Sequence, residues 1–444
     1  IVHDAFDIEG GLVAREWIGC GDKRTLRLRL TLTNLRGVPY AFDIYGAGDP
    51  RRYGMLNHGD YLDFEIGFEP SPEDGVHALD INDTTTDAWE LFRTAAKATG
   101  AFPVGLAPRR LSRAPKEYYY ASRVGYDKPD GFRVIAPDKW IDGVDPYDFV
   151  SVDGGAIDNE PLEMTRRFLL RAGETRNPHD GLQTDRAVIL IAPFPNYLEA
   201  TKDIDGELSL IQAPGALLST LIDQARFKPD ELTRAADQSY YSRYLIAPAR
   251  DDIGAPLQQK YPIACGVMNG FGGFLHRSFR RHDYLLGRRN AQAFLRWHFA
   301  LPEDADLFAE FTGDREKWIV REPGDAATSK SFAMKEGASR RGLPIIPLTQ
   351  KVAKEIVVPR DDFPDPDALF RPDRHDELTR LVEARADKVV AQLVDVDLAL
   401  GGGVLAPFER WGAKRVGAAF AVRKAMGMMD QAIDDVRKAF FPLR

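Results

Sequence analysis

An aspartate followed by two glycines, Asp153-Gly154-Gly155, closes the short run Phe149-Val150-Ser151-Val152. A carboxylate held at such a place can take the proton of an alcohol, which a serine must lose to become a nucleophile at neutral pH. Partial shielding from water raises the proton affinity of a carboxylate and suits it to that work. The glycines let the backbone turn sharply and keep Cβ atoms away from whatever the carboxylate faces. Other Asp-Gly pairs begin at Asp74, Asp130, Asp142, Asp180 and Asp205, but none follows a comparable apolar run. Context therefore singles out Asp153. The competing reading is an Asp-Gly turn at the end of a strand.

A base needs a nucleophile, and no Gly-x-Ser-x-Gly elbow occurs in the 444 residues. The nearest approach, Gly337-Ala338-Ser339-Arg340-Arg341-Gly342, has the wrong spacing and follows Asp153 in the chain. Ser278, Ser339 and Cys265 are the remaining nucleophile candidates. The eight histidines show no metal-binding spacing; His179 and His282 are the ones considered as triad partners, and both are read as surface or core residues. Asp80-Ile81-Asn82-Asp83 and Asp361-Asp362-Phe363-Pro364-Asp365 lack the glycine and bidentate glutamate of a calcium loop and read as solvated turns. Gly270–Phe274 lacks the spacing of a phosphate loop, and Gly401-Gly402-Gly403 reads as a break between helices. No cofactor and no metal site is expected.

These residues need elements to position them. Phe149–Val152 reads as a buried strand carrying Asp153 to the end of a sheet, with Asn159 capping a helix over Glu160–Arg171. Ala187–Pro193 reads as a second buried strand, so strand, helix and strand would form a βαβ unit in an α/β core. Ahead of them, Leu26, Leu28, Leu30 and Leu32 alternate with Arg27, Arg29, Thr31 and Thr33. Leu62, Phe64, Ile66 and Phe68 repeat that pattern, as strands with one wet face do. Asp87–Lys97 reads as a helix stopped by Gly100, and residues 104–146 as irregular. Helices are expected at Gly215–Arg226 and Pro229–Ser242, a strand at Tyr244–Ala247, and a long basic-aromatic helix ending at His298. After a loop-rich stretch, helices over Glu377–Val396 and Phe408–Phe440 close the chain. The last sets Phe408, Trp411, Val416, Phe420, Met426 and Met429 against Arg410, Lys414, Arg415, Arg423 and Lys424. Such a helix packs on its own core by default, though it can also lie on an anionic membrane surface.

With 59 Lys and Arg against 67 Asp and Glu, the net charge of -8 argues against a dedicated nucleic-acid binder. Cys20 and Cys265 form neither a disulfide framework nor a metal cluster and fit a reducing, cytoplasmic setting. No apolar run approaches the ~20 residues of a membrane span.

The segment Asp153-Gly154-Gly155 with Asn159-Glu160-Pro161-Leu162 resembles the Asp-Gly-Gly motif of the patatin-like phospholipases. Ala101-Phe102-Pro103 resembles a segment that members of the family carry shortly after the nucleophile. The resemblance implies a three-layer sheet flanked by helices and a Ser–Asp dyad hydrolysing phospholipids or other lipid esters. Asp153 would be the general base, and Gly154 and Gly155 would shape the floor of the site. The serine and oxyanion loop would then lie outside these residues, in a longer bacterial protein, and the chain alone would be inactive. The expected layout is a β-rich insertion over 1–80, the rest of an incomplete patatin-like α/β domain over 81–302, and a loop-rich then helical region over 303–444. The rival reading is a degenerate, non-catalytic patatin-fold module for membrane or protein interaction, with peripheral membrane contact as a partner for either.

Overall fold

The computed structural model describes residues 25–44, 51–102, 106–120, 124–128, 131–171, 174, 176–193, 220–221, 224, 233–234, 236–250, 261–266, 271–274, 276–349, 353, 363–365, 372–399 and 407–441. The chain forms two compact units. One comprises Ile1–His179, Thr184–Val188 and Asp203–Ser242; the other comprises Asp180–Gln183, Ile189–Lys202 and Arg243–Arg444.

The first unit is built on a mixed sheet. Its long hairpin, β1 (Thr25–Ile44) and β2 (Arg51–Gly67), follows the alternation read in the sequence, with Leu28 facing Phe64 and Leu30 facing Leu62 across the ladder. β3 (Val76–Asp80) runs parallel to β2. α1 (Asp87–Thr99) crosses over and buries Trp89, Phe92, Ala95 and Ala98 against Leu32, Leu62, Phe64 and Leu79. Gly100 ends that helix, as expected, while Thr86 rather than Asp87 stands at its start. β4 (Arg109–Arg113), a single-turn helix α2 (Glu117–Tyr120), and a hairpin of β5 (Val124–Lys128) with β6 (Gly131–Ile135) occupy the stretch read as irregular. β4 carries three arginines in five residues and has no apolar period of its own. It is a strand because β7 (Tyr147–Asp153) pairs with it.

The sheet order is β3-β2-β1-β7-β4, and β7 is antiparallel to both of its neighbours. The fold is thus mixed α/β, and the β-rich opening shares one sheet with the strand that carries Asp153. Among the described residues the expected βαβ unit does not form, since β7 and the next strand lie in different sheets. β8 (Val188–Ile191) pairs instead with β9 (Arg243–Ile246), and Ile189 and Ile191 are exposed rather than buried. An apolar run of four residues fixes neither its partner strand nor its burial.

β1 bulges between Thr33 and Val38. The Asn34 side-chain oxygen accepts from the N–H groups of Arg36 and Gly37, both at 3.0 Å, and holds the four-residue excursion closed. Gly37 has φ +78°, in the left-handed region, and a Cβ there would lie 2.9 Å from the His58 ring. The Tyr147 hydroxyl donates to the Gly37 carbonyl from the β7 side.

In the second unit, the helix α5 (Arg277–Trp297) ends close to the expected His298 and buries Phe279, His282, Leu286 and Phe294. β10 (Ala300–Pro302), β11 (Ser331–Phe332) and β12 (Arg340–Pro344) make a small antiparallel sheet. The closing helices α6 (Pro372–Ala399) and α7 (Pro407–Phe440) join Val422, Met426, Met429 and Ile433 to Leu378, Val382 and Ala386. The apolar face of α7 is therefore covered by protein along its described part. Phe408, Trp411, Val416 and Phe420 lie outside the described side chains, as does most of the span of the helices expected over 215–242.

Candidate functional site

β7 delivers Asp153 by simple alternation. Tyr147, Phe149 and Ser151 are buried on the core face, and a period of two puts Asp153 on that face at the last position of the strand. β1 holds the strand end in register, pairing Leu32 with Asp153 and Asn34 with Ser151. The Thr33 hydroxyl donates to the Asp153 carbonyl at 2.7 Å. On the other side, the Asp153 N–H donates to the Ala101 carbonyl at 3.0 Å, so the Ala-Phe-Pro segment and the aspartate come together. The side chain is half-buried. Its Oδ1 accepts from the Gly155 N–H at 2.8 Å, while Oδ2 has no hydrogen-bond partner among the described residues.

The two glycines act differently. Gly154 has φ -61°, which any residue adopts, so conformational freedom is not its reason. Its reason is contact: a Cβ would sit 2.2 Å from the Thr31 carbonyl oxygen of β1. Gly155 clears the carboxylate itself, since a Cβ there would lie 3.1 Å from Asp153 Oδ1 and 2.7 Å from Asn159 Oδ1. A single-turn helix α3 (Gly155–Asp158) follows, and α4 (Leu162–Phe168) begins after Pro161. Asn159 ends the first of these rather than capping the second. The turn at Gly154–Asn159 takes up the residues that the longer expected helix would have used.

Sequence reading missed a buried ionic cluster one strand away. Leu32 pairs with Asp153 on one side and with Asp60 of β2 on the other. Asp60 is 1% exposed and Arg113 of β4 5%, and they meet at 2.9 Å. Asp60 also accepts from the Tyr118 hydroxyl at 2.9 Å, the Asn34 amide at 3.1 Å and the Tyr61 N–H at 2.7 Å. Arg113 donates further to the Tyr61 carbonyl and to Glu117, and the His77 ring lies 3.4 Å from Glu117. Burial works against the charge on Arg113, but Asp60 outweighs it, together with Tyr118 and Glu117, and its pKa is raised. Burial likewise favours protonation of Glu117, and the hydrogen bond to His77 and the charge of Arg113 reverse that, holding it below the ordinary carboxylate value. A signal for the cluster was present. Asp60 falls on the apolar side of the alternation through Leu62, Phe64 and Ile66, and Arg113 shares the buried side of β4 with Leu111.

The other nucleophile candidates are tied down or exposed. Burial, then a hydrogen bond to Asp283, pushes the Cys265 thiol up to about 12, far from the thiolate that attacks. Ser278 lies 2.8 Å from His276 Nδ1, the same nitrogen that accepts the Ser278 N–H and caps α5. Ser339 is exposed just before β12. His179 stacks on Tyr240 with ring centroids 4.5 Å apart, and His282 lies between Asp283 and Arg250. Asp80 and Asp83 accept hydrogen bonds from Asn82 and Thr85 within their own turn. No group of three or more potential ligands that could hold a metal occurs among the described residues. Residues 271–274 form one turn of tight helix, and Gly401–Gly403 and Asp361-Asp362 lie outside the described residues.

No helix among the described residues is long and apolar enough to cross a membrane. No family model and no solved structure matches the chain. In an alignment of 420 positions that covers 89% of the chain, it is 31% identical to the uncharacterized protein y4iI of Sinorhizobium fredii (strain NBRC 101917 / NGR234). It spans 57% of that relative's length.

Proposed function

We propose that Asp153 is the general base of a Ser–Asp dyad, and that this chain is part of a patatin-like lipid acyl hydrolase whose serine is supplied from outside these residues. The observation that carries the reading is the state of one carboxylate. It is half-buried at a strand end, one oxygen is held by the Gly155 N–H, and the other is left to accept a proton. The fixed oxygen sets the orientation of the group, which a base must have before its pKa matters. The missing Cβ at Gly155 lets Asp153 Oδ1 and the Asn159 side chain lie close against the backbone, which supports that orientation. In the reaction, an incoming serine hydroxyl would lose its proton to Oδ2 as its oxygen attacked the ester carbonyl. The same carboxyl would then return that proton to the departing alcohol. Phospholipids or related lipid esters are the substrate class that the sequence resemblance implies.

The absence of a Gly-x-Ser-x-Gly elbow favours a second reading, in which the fold is a non-catalytic interaction module. One experiment separates the two. The complete reading frame that contains this chain is expressed and assayed with a p-nitrophenyl ester and a fluorophosphonate probe. The catalytic reading expects hydrolysis, labelling of a serine outside residues 1–444, and loss of hydrolysis on Asp153→Asn. Full activity in that variant, or no activity in the intact protein, rejects it.

A further inference from the structure

α5 carries six arginines and a single acid, Asp283. Asp283 is turned inward, accepting from the N–H groups of Ala264 and Cys265 at 2.7 and 2.8 Å and from His282, so it neutralises nothing on the outer face. That outer face is regular. Arg277, Arg281, Tyr284 and Arg288 follow one another at spacings of four, three and four residues, which places them within about 60° of each other around the helix. All four are exposed, Tyr284 by 64%. Among the described residues no carboxylate pairs with Arg277, Arg281 or Arg288, whereas arginines elsewhere, such as Arg186, Arg321 and Arg341, are matched to Glu or Asp. The Arg288 guanidinium lies 5.7 Å from the centre of the Tyr284 ring. The opposite side is anchored by Phe279, Leu286 and Phe294, so the stripe is a straight, rigid row about 16 Å long.

We infer that this stripe is a docking surface for an anionic phospholipid bilayer. Three unpaired arginines call for a partner that presents several negative groups at once. A plane of headgroups offers them to a straight helix lying in the interface. The exposed tyrosine between the arginines suits the same plane, where its ring meets the acyl boundary and its hydroxyl stays among the headgroups. A nucleic acid fits less well, because three cations on one straight row neutralise few phosphates. The choice of lipid among anionic partners rests on the proposed lipid-ester chemistry. The stripe itself does not.

The test is co-sedimentation of the whole 444-residue chain with vesicles of phosphatidylcholine alone or mixed with phosphatidylglycerol, at low and high salt. Binding should require the anionic lipid and weaken as salt rises. The triple variant Arg277→Gln, Arg281→Gln, Arg288→Gln should lose roughly a hundredfold in partitioning. A control triple, Arg109→Gln, Arg110→Gln, Lys116→Gln, makes the same charge change at exposed positions of the other unit and should bind as the parent does. Matching circular dichroism and melting curves show that both triples are folded, and the salt dependence of the parent chain gives a measurement needing no variant. Equal losses in the two triples, no binding to anionic vesicles, or binding of single-stranded oligothymidylate in preference to vesicles would each overturn the inference. Failure of the dyad reading looks different: in the complete protein Asp153→Asn would keep full ester hydrolysis, while vesicle binding by the chain and its loss in the stripe triple would be unchanged.

Discussion

At the scale of single residues, the Asp-Gly-Gly segment divides its work among three positions. Asp153 offers one oriented carboxylate, Gly155 clears and binds it, and Gly154 lets the turn lie directly on β1. Replacing Asp153 by Asn keeps an oxygen to accept the Gly155 N–H, so folding stability should stay within about 1 kcal/mol of the parent in urea denaturation. Ester hydrolysis by the complete protein should fall by roughly 10²–10⁴, the span associated with losing a positioned base. Gly154→Ala acts through packing instead. A methyl placed 2.2 Å from the Thr31 carbonyl forces backbone of the strand or the turn to move. The expected loss is about 3 kcal/mol, read from the same denaturation curves. A variant of normal stability would show that the turn has slack the structure does not reveal.

Among elements, the sheet is tied across its strands by charge as well as by its apolar face. Arg113 on β4 reaches past β7 and β1 to Asp60 on β2, and Asn34 at the bulge joins the same carboxylate. Removing one member leaves its partner buried and unmatched. Arg113→Met should therefore cost about 3–5 kcal/mol in thermal or chemical unfolding. Combining it with Asp60→Leu should recover part of that loss, although Tyr118, Asn34 and the Tyr61 N–H also lose their acceptor. No recovery in the double variant would mean that the hydrogen bonds, rather than the ion pair, dominate the cluster.

The same cluster makes a prediction about acid. Burial favours protonation of Glu117 and Glu163, but His77 and Arg113 in one case, and Arg166 and Arg167 in the other, hold both below their ordinary value of 4.5. A carboxylate depressed in the folded state contributes its stability in full above the unfolded value and loses it as pH falls through the folded one. The urea midpoint should hold steady above about pH 5 and decline below about 4.5. The decline should be shallower in Arg113→Met, where Glu117 has lost one of the partners that depress it.

For the whole molecule, the missing elbow has a direct consequence. The isolated 444-residue chain should hydrolyse no p-nitrophenyl ester above the uncatalysed rate and take up no fluorophosphonate. Mass spectrometry of the treated chain checks this. Stoichiometric labelling, at Ser278 or Ser339 for instance, would put the nucleophile inside the chain and end the division of labour proposed for the dyad.

Local pattern in the sequence was enough to predict several features. The leucine alternation of β1, the helix stopped by Gly100, the strand before Asp153 and the long closing helices all follow from periods and stop signals a few residues long. Asp153 is singled out as a candidate by the same kind of signal, because an apolar run that ends in Asp-Gly-Gly is a local event. Tertiary structure decided what depends on distant partners. β4 is a strand only because β7 lies beside it, and β8 pairs with β9 although nothing in its four residues names that partner. Gly154 is needed because of Thr31, more than a hundred positions earlier. Asp60 and Arg113 each fall on the buried side of a strand pattern, and become an ion pair only when the fold brings β2 and β4 into one sheet and removes water from both. Periodicity is written in neighbouring residues, whereas pairing and desolvation are settled by chain segments that meet only after folding.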